Sequence, residues 1–365
     1  MTTRVPVGAL RRCVRMVFVR CGLSDVDAST AMEVVCYADR HGFATHGVNA
    51  LVNIYAPGLR SGRIDPAAMP FVLGSKGAVT VIDGGAGLGL VTMTMAVDLA
   101  GQAAREHGIG AVAVRNSTHF GAAGYYTHRL ATAGLVGVAM TNCGAQGVLP
   151  PLGGAMRMLG TNPLSAAVPA GDTAPFVLDM STSAVATGRV KAAHRDGRPV
   201  PSGWLIGRAD GADVTDPAAY LDGTADVAWL GGRLATGGAK GFGLGLLVDL
   251  LCGPLAGAAF GPRREVLAGG EPADDRDIGH FTLAIDPAAF GDPSAIAERS
   301  GELLGTVAAC PPAPYADGVT YPGAPEAAMA ARADRDGMAL AEPVVAGLRR
   351  LAADLDVELP EVLRS

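Results

Sequence analysis

The sequence predicts an α/β fold, and three observations lead to this prediction. Amphipathic helical patterns occupy 7–40 and again 329–355. Between them, a strand at 78–83, a glycine-rich loop, a helix and a strand at 111–115 follow in the order of a βαβ unit. Further apolar strands end in polar residues, and strand ends are where α/β proteins commonly hold ligands. We therefore expect helices that flank a sheet, with a functional site at the strand ends.

The N-terminal segment predicts two helices and a connection. Apolar residues recur over 7–21 at the spacing of one helix face, and Gly22 follows as a C-cap. Ser24 is the expected N-cap of a second helix that runs to about Arg40. The segment 57–70 is rich in Gly, Pro and Arg, which is typical of a connection out of a helical region.

The rest of the chain predicts strands, a surface excursion and a C-terminal helix. The strands are at 136–140, 176–183 and 279–286. The polar segment 189–230 is expected to cross the surface, and the helix over 329–355 is expected to pack on the first two helices. We therefore place a boundary near position 75.

Composition excludes some partners. Hydrophobic residues make up 49% of the 365 residues and charged residues 18%, as in an ordinary packed protein. The net charge is -6, and the basic residues form no long run, so we expect no nucleic-acid partner. A small-molecule substrate is the favoured partner.

The six cysteines are scattered without a CxxC motif or regular spacing. This pattern predicts buried free thiols in a reducing compartment, without a metal site or disulfide framework. Arg15 and Arg20 interrupt the N-terminal apolar run, and no small-residue cleavage site follows. We therefore expect no signal peptide and a cytoplasmic protein.

The longest apolar run, 241–262, predicts a core helix. Asp249 and a Gly253-Pro254 break lie within it, and a membrane span would bury this charge and kink in lipid. We therefore expect no membrane partner.

The glycine-rich loop at 84–89 invites a comparison with the Rossmann fingerprint, G-x-G-x-x-G. Here the glycines fall as G-x-G-x-G from Gly85, and Leu90 occupies the place of the third glycine. The next strand ends in Arg115-Asn116, where a ribose-binding acid is expected. A flexible turn is therefore the better prediction.

The strongest candidate for chemistry is the Thr45-His46-Gly47 segment, which follows the end of the second helix. Imidazole exchanges a proton near neutral pH, and glycine lets the backbone approach a ligand closely. His46 is therefore the leading candidate for a catalytic acid or base. A lone loop histidine is more often a surface or packing residue, so the rest of the chain must support this role.

Three further side chains are candidates, each with a structural alternative. His119 follows a strand beside hydroxyls and small residues, but it fits a hydrogen-bonded core position equally well. Asp179 ends a strand, where it can orient a histidine, accept from a ribose hydroxyl or cap a helix. Lys240 opens a helix, where it can bind an anion together with the helix N-terminus or remain solvated. His280, at the start of a strand, is expected to be structural.

Six motifs appear in one order along the chain. They are Thr-His-Gly at 45–47, Asn-Ser-Thr-His at 116–119, Gly-Thr-Asn-Pro at 160–163, Asp-Met-Ser-Thr-Ser at 179–183, Lys-Gly-Phe-Gly at 240–243 and Gly-His-Phe at 279–281. This order resembles the malate/L-lactate dehydrogenase family of the second type, which includes ureidoglycolate dehydrogenases, diketogulonate reductases and piperideine-2-carboxylate reductases. The resemblance covers nearly the whole chain.

The resemblance implies a non-Rossmann α/β fold with a mixed sheet and flanking helices. It implies a homodimer and hydride transfer between NAD or NADP and a 2-oxo acid, 2-hydroxy acid or cyclic imino acid. The region 1–75 with about 310–365 becomes a helical substrate and dimerisation lobe, and 76–309 becomes the NAD(P)-binding and catalytic lobe.

The resemblance also implies roles for individual residues. His46 becomes the proton donor or acceptor, and His119 lies at the same site as a contact or as the acid/base itself. The implied substrate contacts are Thr45, His46 and Asn162. The implied cofactor contacts are Pro175, Phe176, Val177, Leu178, Asp179, Met180, Ser181, Ala239 and Lys240.

Departures from the family pattern concern the substrate. The family commonly places an arginine four residues after the histidine, suited to a bidentate grip on a carboxylate, and here that position is Ala50. Arg60 and Arg63 are the nearby alternatives. The tyrosine that often follows is displaced to Tyr55, and Arg189 replaces a lysine usual at a later helix start.

We therefore expect a reductase of a C=O group, with a cyclic imine (C=N) reductase as the alternative. A family member that binds a ligand without catalysis is the further alternative. Retention of His46, His119, Asp179 and Lys240 argues against it.

Overall fold

A computed structural model describes residues 2–261, 264–268 and 276–364 of the chain. Its strands are β1 Thr2–Val5, β2 Phe71–Lys76, β3 Val79–Asp83, β4 Ile109–Ser117, β5 Val136–Thr141, β6 Leu164–Val168, β7 Phe176–Met180, β8 Leu205–Gly207, β9 Asp213–Val214, β10 Ala225–Val227, β11 Ile278–Ile285 and β12 Met338–Ala341.

Helices flank these strands along the described chain. The α-helices are α1 Val7–Arg20, α2 Asp25–Arg40, α3 Val48–Ala50, α4 Ala56–Arg60, α5 Gly89–His107, α6 Ala123–Thr132, α7 Thr187–Arg195, α8 Ala218–Leu221, α9 Gly238–Leu250, α10 Arg264–Leu267, α11 Pro293–Ala308, α12 Ala324–Asp336 and α13 Glu342–Leu355. Turns of π-helix occupy Leu51–Tyr55 and Leu251–Leu255, and 3-10 turns occupy Leu234–Thr236, Pro287–Ala289 and Glu361–Leu363.

The main sheet has seven strands in the order β2-β3-β4-β11-β5-β6-β7. Among its described strands, β3 and β4 pair in parallel and every other neighbouring pair is antiparallel. A Rossmann sheet is mostly parallel, so this mixed topology confirms the predicted non-Rossmann α/β class.

The predicted helical start is confirmed in its details. Ser24 accepts a hydrogen bond on its hydroxyl from the Asp27 amide at 3.1 Å, so it is the N-cap of α2. Gly22 follows α1 with a φ of +99°, a conformation that favours glycine. α1 buries one face, which consists of Leu10, Cys13, Val14, Val17 and Phe18.

The glycine-rich loop between β3 and α5 is a packed turn. The Thr118 hydroxyl accepts from the first amide of α5, at Gly89, at 3.0 Å and donates to the Gly87 carbonyl at 3.1 Å. A Cβ at Gly89 would overlap the Thr118 carbonyl. The helix N-terminus, where a Rossmann protein binds a pyrophosphate, is thus covered by this protein's own side chain and backbone.

The C-terminal region packs on the N-terminal helices, as expected, but it is not one helix. Gly337, with a φ of +85°, ends α12, and β12 then pairs with β1 before α13 begins. α12 contacts α2, and α13 contacts α1. The single helix predicted over 329–355 is therefore wrong, because glycine and a short strand interrupt the helical pattern. The division into two lobes stays a prediction.

The segment predicted as a surface excursion is a folded layer. Strands β10-β8-β9 form a second antiparallel sheet over a core of its own. Val190, Leu205, Val227 and Trp229 are buried there. Apolar residues spaced widely among polar ones build this core, so the sequence shows no continuous strand pattern.

The prediction of a core helix for the apolar run is corrected. The stretch Gly238–Leu255 is long and apolar enough to cross a membrane by length and composition, yet only 39% of it is buried. Val248, Asp249 and Cys252 are buried, whereas Leu247 and Leu250 are exposed. The helix therefore buries one face and leaves an apolar face open. Position 262, where the predicted run ends, lies outside the described residues.

All six cysteines are free thiols. Cys13, Cys21, Cys36 and Cys252 are buried and Cys143 is partly buried, as predicted. Cys310 is exposed, so the expectation of burial is wrong for this residue.

Candidate active site

A hydrogen bond to the buried carboxyl group of Asp39 fixes the loop that carries His46. Asp39, near the end of α2, accepts a hydrogen bond from the Val48 amide at 2.7 Å. A Cβ at Gly47 would overlap the Asp39 carboxyl group, so glycine is needed at this position. Burial raises the pKa of Asp39 to about 7, and the bond from Val48 opposes that rise. The loop therefore joins α2 to α3 in one fixed path, which places His46.

His119 lies two residues beyond β4, and two donors fix its ring. The Gly121 amide donates to Nδ1 at 3.3 Å, and the Tyr55 hydroxyl lies 2.8 Å from the same nitrogen. A backbone N–H can only donate, so Nδ1 is an acceptor and the tyrosine donates to it as well. In the neutral ring the proton then resides on Nε2.

The two imidazoles form a stacked pair. The ring centroids of His46 and His119 are 5.6 Å apart, and the ring planes differ by 11°. Nδ1 of His46 lies 3.0 Å from the Thr45 hydroxyl. The structure thus brings His119 next to Thr45 and His46, although His119 lies 74 positions after Thr45 in the sequence.

Both imidazoles have lowered pKa values. Burial lowers the pKa of His46 to about 4. Burial, and to a smaller extent the neighbouring His46 and His280, lowers the pKa of His119 to about 3. Both rings are therefore neutral at pH 7 before a substrate binds.

His46 and His119 face a cavity of about 300 Å³. This volume is at the lower end of small-molecule sites. The lining also includes Asn53, Ile54, Arg63, Thr141, Gln146 and Thr161. A larger groove of about 550 Å³ lies between α1 and residues 358–364 and contains neither histidine. We therefore place the candidate site at the cavity with the imidazole pair.

Tyr55 and Arg63 lie at this site, and the sequence named both only as departures from the family pattern: Tyr55 as a displaced tyrosine and Arg63 as one of two alternatives to the missing arginine. Tyr55 is completely buried and donates to His119, and Arg63 lines the cavity. A π-helical turn over Leu51–Tyr55 precedes α4, and such a turn accommodates one extra residue. For Tyr55 the signal in the sequence was its displaced position, and for Arg63 it was the absence of an arginine at position 50.

The predicted cofactor segment 175–181 forms β7 and its ends, at the edge of the main sheet. The Asp179 carboxylate accepts from the Gly124 amide, in the first turn of α6, at 2.7 Å. Burial raises the pKa of Asp179 to about 6, and the bond from Gly124 opposes that rise. The Val177 amide donates to the Pro322 carbonyl at 3.0 Å, so the 322–323 segment lies beside this strand.

The segment that follows β7 passes the cavity. The Thr182 amide donates to the Thr161 carbonyl at 3.0 Å, and Thr161 lines the cavity. A Cβ at Gly188, in α7, would lie 3.2 Å from the Thr45 side chain. Ser181 therefore precedes Thr182, whose amide is hydrogen-bonded to the cavity-lining residue Thr161.

The predicted contacts Asn162, Ala239 and Lys240 lie outside the cavity lining. The Asn162 side chain is fully buried and donates to the Gly245 carbonyl in α9 at 2.8 Å, whereas its neighbours Thr161 and Pro163 line the cavity. Ala239 and Lys240 are exposed in the first turn of α9. The structure does not bring these three side chains to the imidazole pair.

His280 has the structural position that the sequence predicts. It is fully buried, and its ring nitrogens lie 2.8 Å from the Thr141 hydroxyl and 2.9 Å from the Ser117 hydroxyl. Its ring stacks on Phe120 at 5.0 Å. Within the described residues, no group of three or more His, Cys, Asp or Glu side chains is arranged to hold a metal ion.

The mixed sheet and the imidazole pair define an α/β protein with a candidate proton-transfer site. A model of the malate/L-lactate dehydrogenase family matches residues 5–349. The chain belongs to this family.

Known relatives are named as dehydrogenases and reductases. The chain is 37% identical over 274 residues to a (2R)-3-sulfolactate dehydrogenase (NADP(+)) of Chromohalobacter salexigens, covering 74% of this chain and 77% of the relative. It is 34% identical over 274 residues to a delta(1)-pyrroline-2-carboxylate reductase of Pseudomonas fluorescens, covering 75% and 78%. A malate dehydrogenase structure from Entamoeba histolytica superposes with a TM-score of 0.91 at 28% identity, covering 99% of this chain and all of that one. The protein is an oxidoreductase, and the non-catalytic alternative is set aside.

Proposed function

We propose that the protein transfers a hydride between NAD(P)H and the C=O group of a 2-oxo acid or related ketone, with His46 as the proton donor or acceptor. The observation that carries this proposal is the stacked pair of neutral imidazoles on the wall of a cavity of about 300 Å³. Reduction of a carbonyl adds a hydride to carbon and a proton to oxygen, so the site needs a group that exchanges one proton.

The hydrogen bonds support a different proposed task for each ring. Nδ1 of His119 accepts from Gly121 and Tyr55, so its Nε2–H is a fixed donor for the substrate oxygen. Nδ1 of His46 faces the Thr45 hydroxyl, which can accept or donate a hydrogen bond. His46 can therefore gain or lose a proton at Nε2, because the Thr45 hydroxyl can switch between accepting a hydrogen bond from Nδ1 and donating one to it. We assign proton exchange to His46 and oxygen binding to His119.

The chain offers suitable groups for a dinucleotide. Lys240 is an exposed cation in the first turn of α9, and the helix begins at Gly237-Gly238, which lack side chains. We assign residues 175–181, Ala239 and Lys240 to the cofactor, and Asn162 to the support of the substrate-binding wall. A bound nicotinamide supplies the hydride. Residues 175–181, Ala239 and Lys240 would hold it, and His46 would exchange the proton.

The choice between NAD and NADP remains part of the proposal, as do a cytoplasmic location and a homodimer. Exposed apolar residues on β2 and α9 support the dimer. They are Phe71, Val72, Leu73, Leu247 and Leu250. Exposed apolar side chains that lie next to one another on an element are typical of interaction sites, and β2 and α9 each carry such a group.

A cyclic imine reductase is the second candidate. The relative named as a delta(1)-pyrroline-2-carboxylate reductase supports it, since reduction of C=N needs the same hydride and the same proton.

Nicotinamide oxidation by the purified protein tests both candidates. NADH and NADPH are offered in turn with 2-oxo acids, simple ketones and cyclic imines, and cofactor binding is measured by calorimetry. We expect turnover with a 2-oxo acid or a cyclic imino acid, and the preferred group decides between the candidates. Absence of turnover together with absence of cofactor binding would contradict the proposal.

A further inference from the structure

Asp249 of α9 is a buried carboxyl group that is hydrogen-bonded to the cavity wall and has no part in the proposed proton exchange. Only 3% of this residue is exposed. Its Oδ1 atom accepts from Nδ2 of Asn142, a lining residue, at 3.0 Å. Its Oδ2 atom is buried and has no hydrogen-bond partner among the residues that the structure describes. A buried polar atom without a partner costs free energy, so this oxygen needs an explanation.

The Asn142 side chain is oriented by backbone groups. Its Oδ1 atom accepts from the amides of Gly144 at 3.0 Å and Gly279 at 3.1 Å. Backbone N–H groups can only donate, so the side-chain amide of Asn142 cannot be turned round. Its Nδ2 group donates one hydrogen to Asp249 and the other to the Ala259 carbonyl at 2.8 Å. Asn142 therefore has no hydrogen left for Oδ2 of Asp249.

Asn162 carries a second buried oxygen without a partner. Its side chain is fully buried, and its Nδ2 group donates to the Gly245 carbonyl at 2.8 Å. Its Oδ1 atom has no partner in the described part of the chain. Gly245 and Asp249 are one helical turn apart on the same face of α9, and the Asn162 side chain lies within hydrogen-bonding reach of the Asp249 carboxyl group. An N–H of Asn162 turned towards an ionised Asp249 would still leave Oδ1 of Asn162 without a donor.

The surroundings of Asp249 favour the neutral acid. Burial raises the pKa of Asp249 to about 7, and hydrogen bonds from Asn142 and Asn162 oppose that rise. Within the described residues, no cation lowers this pKa. The titratable groups that face the carboxyl group are the thiols of Cys143, after β5, and Cys252, in the π-helical turn after α9. Burial raises the pKa of both thiols, so both are neutral at the same pH.

We propose that Asp249 is a positioning residue that works as a neutral carboxylic acid, with its proton on Oδ2 bonded to Oδ1 of Asn162. One proton then satisfies both unpartnered oxygens. Asn142 and the two neighbours of Asn162, Thr161 and Pro163, line the cavity. The acid thus joins α9 to two segments of the cavity wall. The effect of this bond on catalysis rests on the proposed function, whereas the presence of the proton does not.

Two substitutions separate a neutral acid from a carboxylate. Asp249→Asn places an N–H donor and a carbonyl oxygen where the protonated acid has its hydroxyl group and its carbonyl oxygen, so it reproduces the proposed bonds. Asp249→Leu has a similar shape and removes these bonds. Asp172→Asn, in the exposed turn between β6 and β7, is the control for loss of a carboxylate.

Steady-state kinetics at about pH 6 test the positioning role, with the substrate and cofactor found by nicotinamide oxidation. We expect Asp249→Leu to raise KM about tenfold and to change kcat by less than about threefold, because the wall shifts while the imidazole pair stays in place. Asp249→Asn and Asp172→Asn should each keep both constants within about twofold of the unmodified protein. If Asp249→Asn is as impaired as Asp249→Leu, the site needs a carboxylate and the proposal is wrong.

Urea unfolding tests the proton without any substrate. A pKa that is higher in the folded than in the unfolded state means that the folded protein holds the extra proton, so this contribution to stability is lost as the pH rises. We expect the unfolding equilibrium constant of the unmodified protein, relative to that of Asp249→Asn, to rise about tenfold per pH unit between about pH 5 and 6.5. The same ratio to Asp172→Asn should stay level.

A ratio to Asp249→Asn that also stays level would show that Asp249 is ionised in the folded protein, and it would overturn the proposal. A ratio that rises, together with an unchanged KM in Asp249→Leu, would refute the positioning role alone. If the unmodified protein oxidises neither reduced cofactor with any compound offered, the proposed function fails. The unfolding ratio then still decides whether Asp249 holds its proton.

Discussion

Two glycine-containing loops of this protein look alike in sequence and differ in use. The loop at 84–89 carries glycines between a strand and a helix, and its helix start is covered by the Thr118 hydroxyl and backbone. The loop at 42–47 carries fewer glycines, and its His46 faces the cavity. The richer glycine pattern is thus a packed turn, whereas the poorer one presents a reactive side chain.

The difference shows that glycines in a loop indicate that another group packs closely against the backbone there. The glycines do not indicate whether that group is a ligand or another part of the protein. At Gly89 the partner is the Thr118–His119 backbone, so the glycine-rich loop supports the strand end that carries His119. At Gly47 the partner is the Asp39 carboxyl group, which fixes the His46 loop. Both loops contribute to the same site. The loop at 84–89 packs against the strand end that carries His119, and the loop at 42–47 places His46 at the cavity.

The largest effect is expected from His46→Ala. Loss of the proton-exchanging group should lower kcat by about a hundredfold or more, while the affinity for reduced nicotinamide stays the same. Stopped-flow rates and calorimetric titration measure the two quantities. His107→Ala, at the exposed end of α5, is the control for removal of an imidazole. An unchanged kcat in His46→Ala would move proton exchange to His119.

A smaller effect is expected from Tyr55→Phe. The variant keeps the buried ring and removes the hydroxyl that donates to Nδ1 of His119, while the Gly121 amide still donates there. We expect kcat to fall about tenfold with little change in KM, because His119 is oriented less firmly. Steady-state kinetics and thermal unfolding measure both effects. A loss of stability without a change in kcat would show that Tyr55 serves packing alone.

The smallest effect on activity is expected from Gly85→Ala, which tests the other loop. Gly85 has a φ of +62°, and a Cβ there meets no atom closer than 3.6 Å. An alanine should therefore cost about 1 kcal/mol of unfolding free energy through backbone strain. Urea unfolding measures this cost. A tenfold loss of cofactor affinity would mean that the loop binds phosphate after all.

The sequence predicted the elements whose signals are local. The Ser24 cap, the two N-terminal helices and the βαβ order are each encoded within a few neighbouring residues, and the structure confirms them. β12 and the small sheet over 205–227 were missed. Their stability comes from distant partners, β1 and a separate core, which leave no periodic pattern in the short strands themselves.

The candidate site was predictable in part for the same reason. Motifs named His46 and His119, but their stacking depends on how α2, β4 and the π-helical turn meet in space. Arg60 and Arg63 are equivalent by sequence alone. Only the structure separates them, since one pairs with Asp354 and the other lines the cavity. The predicted roles of Asn162 and Lys240 stay predictions, because both side chains lie away from the imidazole pair.

The pH dependence of kcat/KM for reduction tests the central claim most directly, because it reports the pKa of the proton donor before substrate binds. Burial lowers the pKa of His46 to about 4, so the protonated donor becomes scarcer as the pH rises above that value. We predict that kcat/KM for reduction falls about tenfold per pH unit between about pH 5.5 and 8.5. Oxidation of the hydroxy acid needs the neutral ring and should stay flat over that range. A reduction profile that is level up to about pH 6.5 would contradict a desolvated imidazole pair as the proton source.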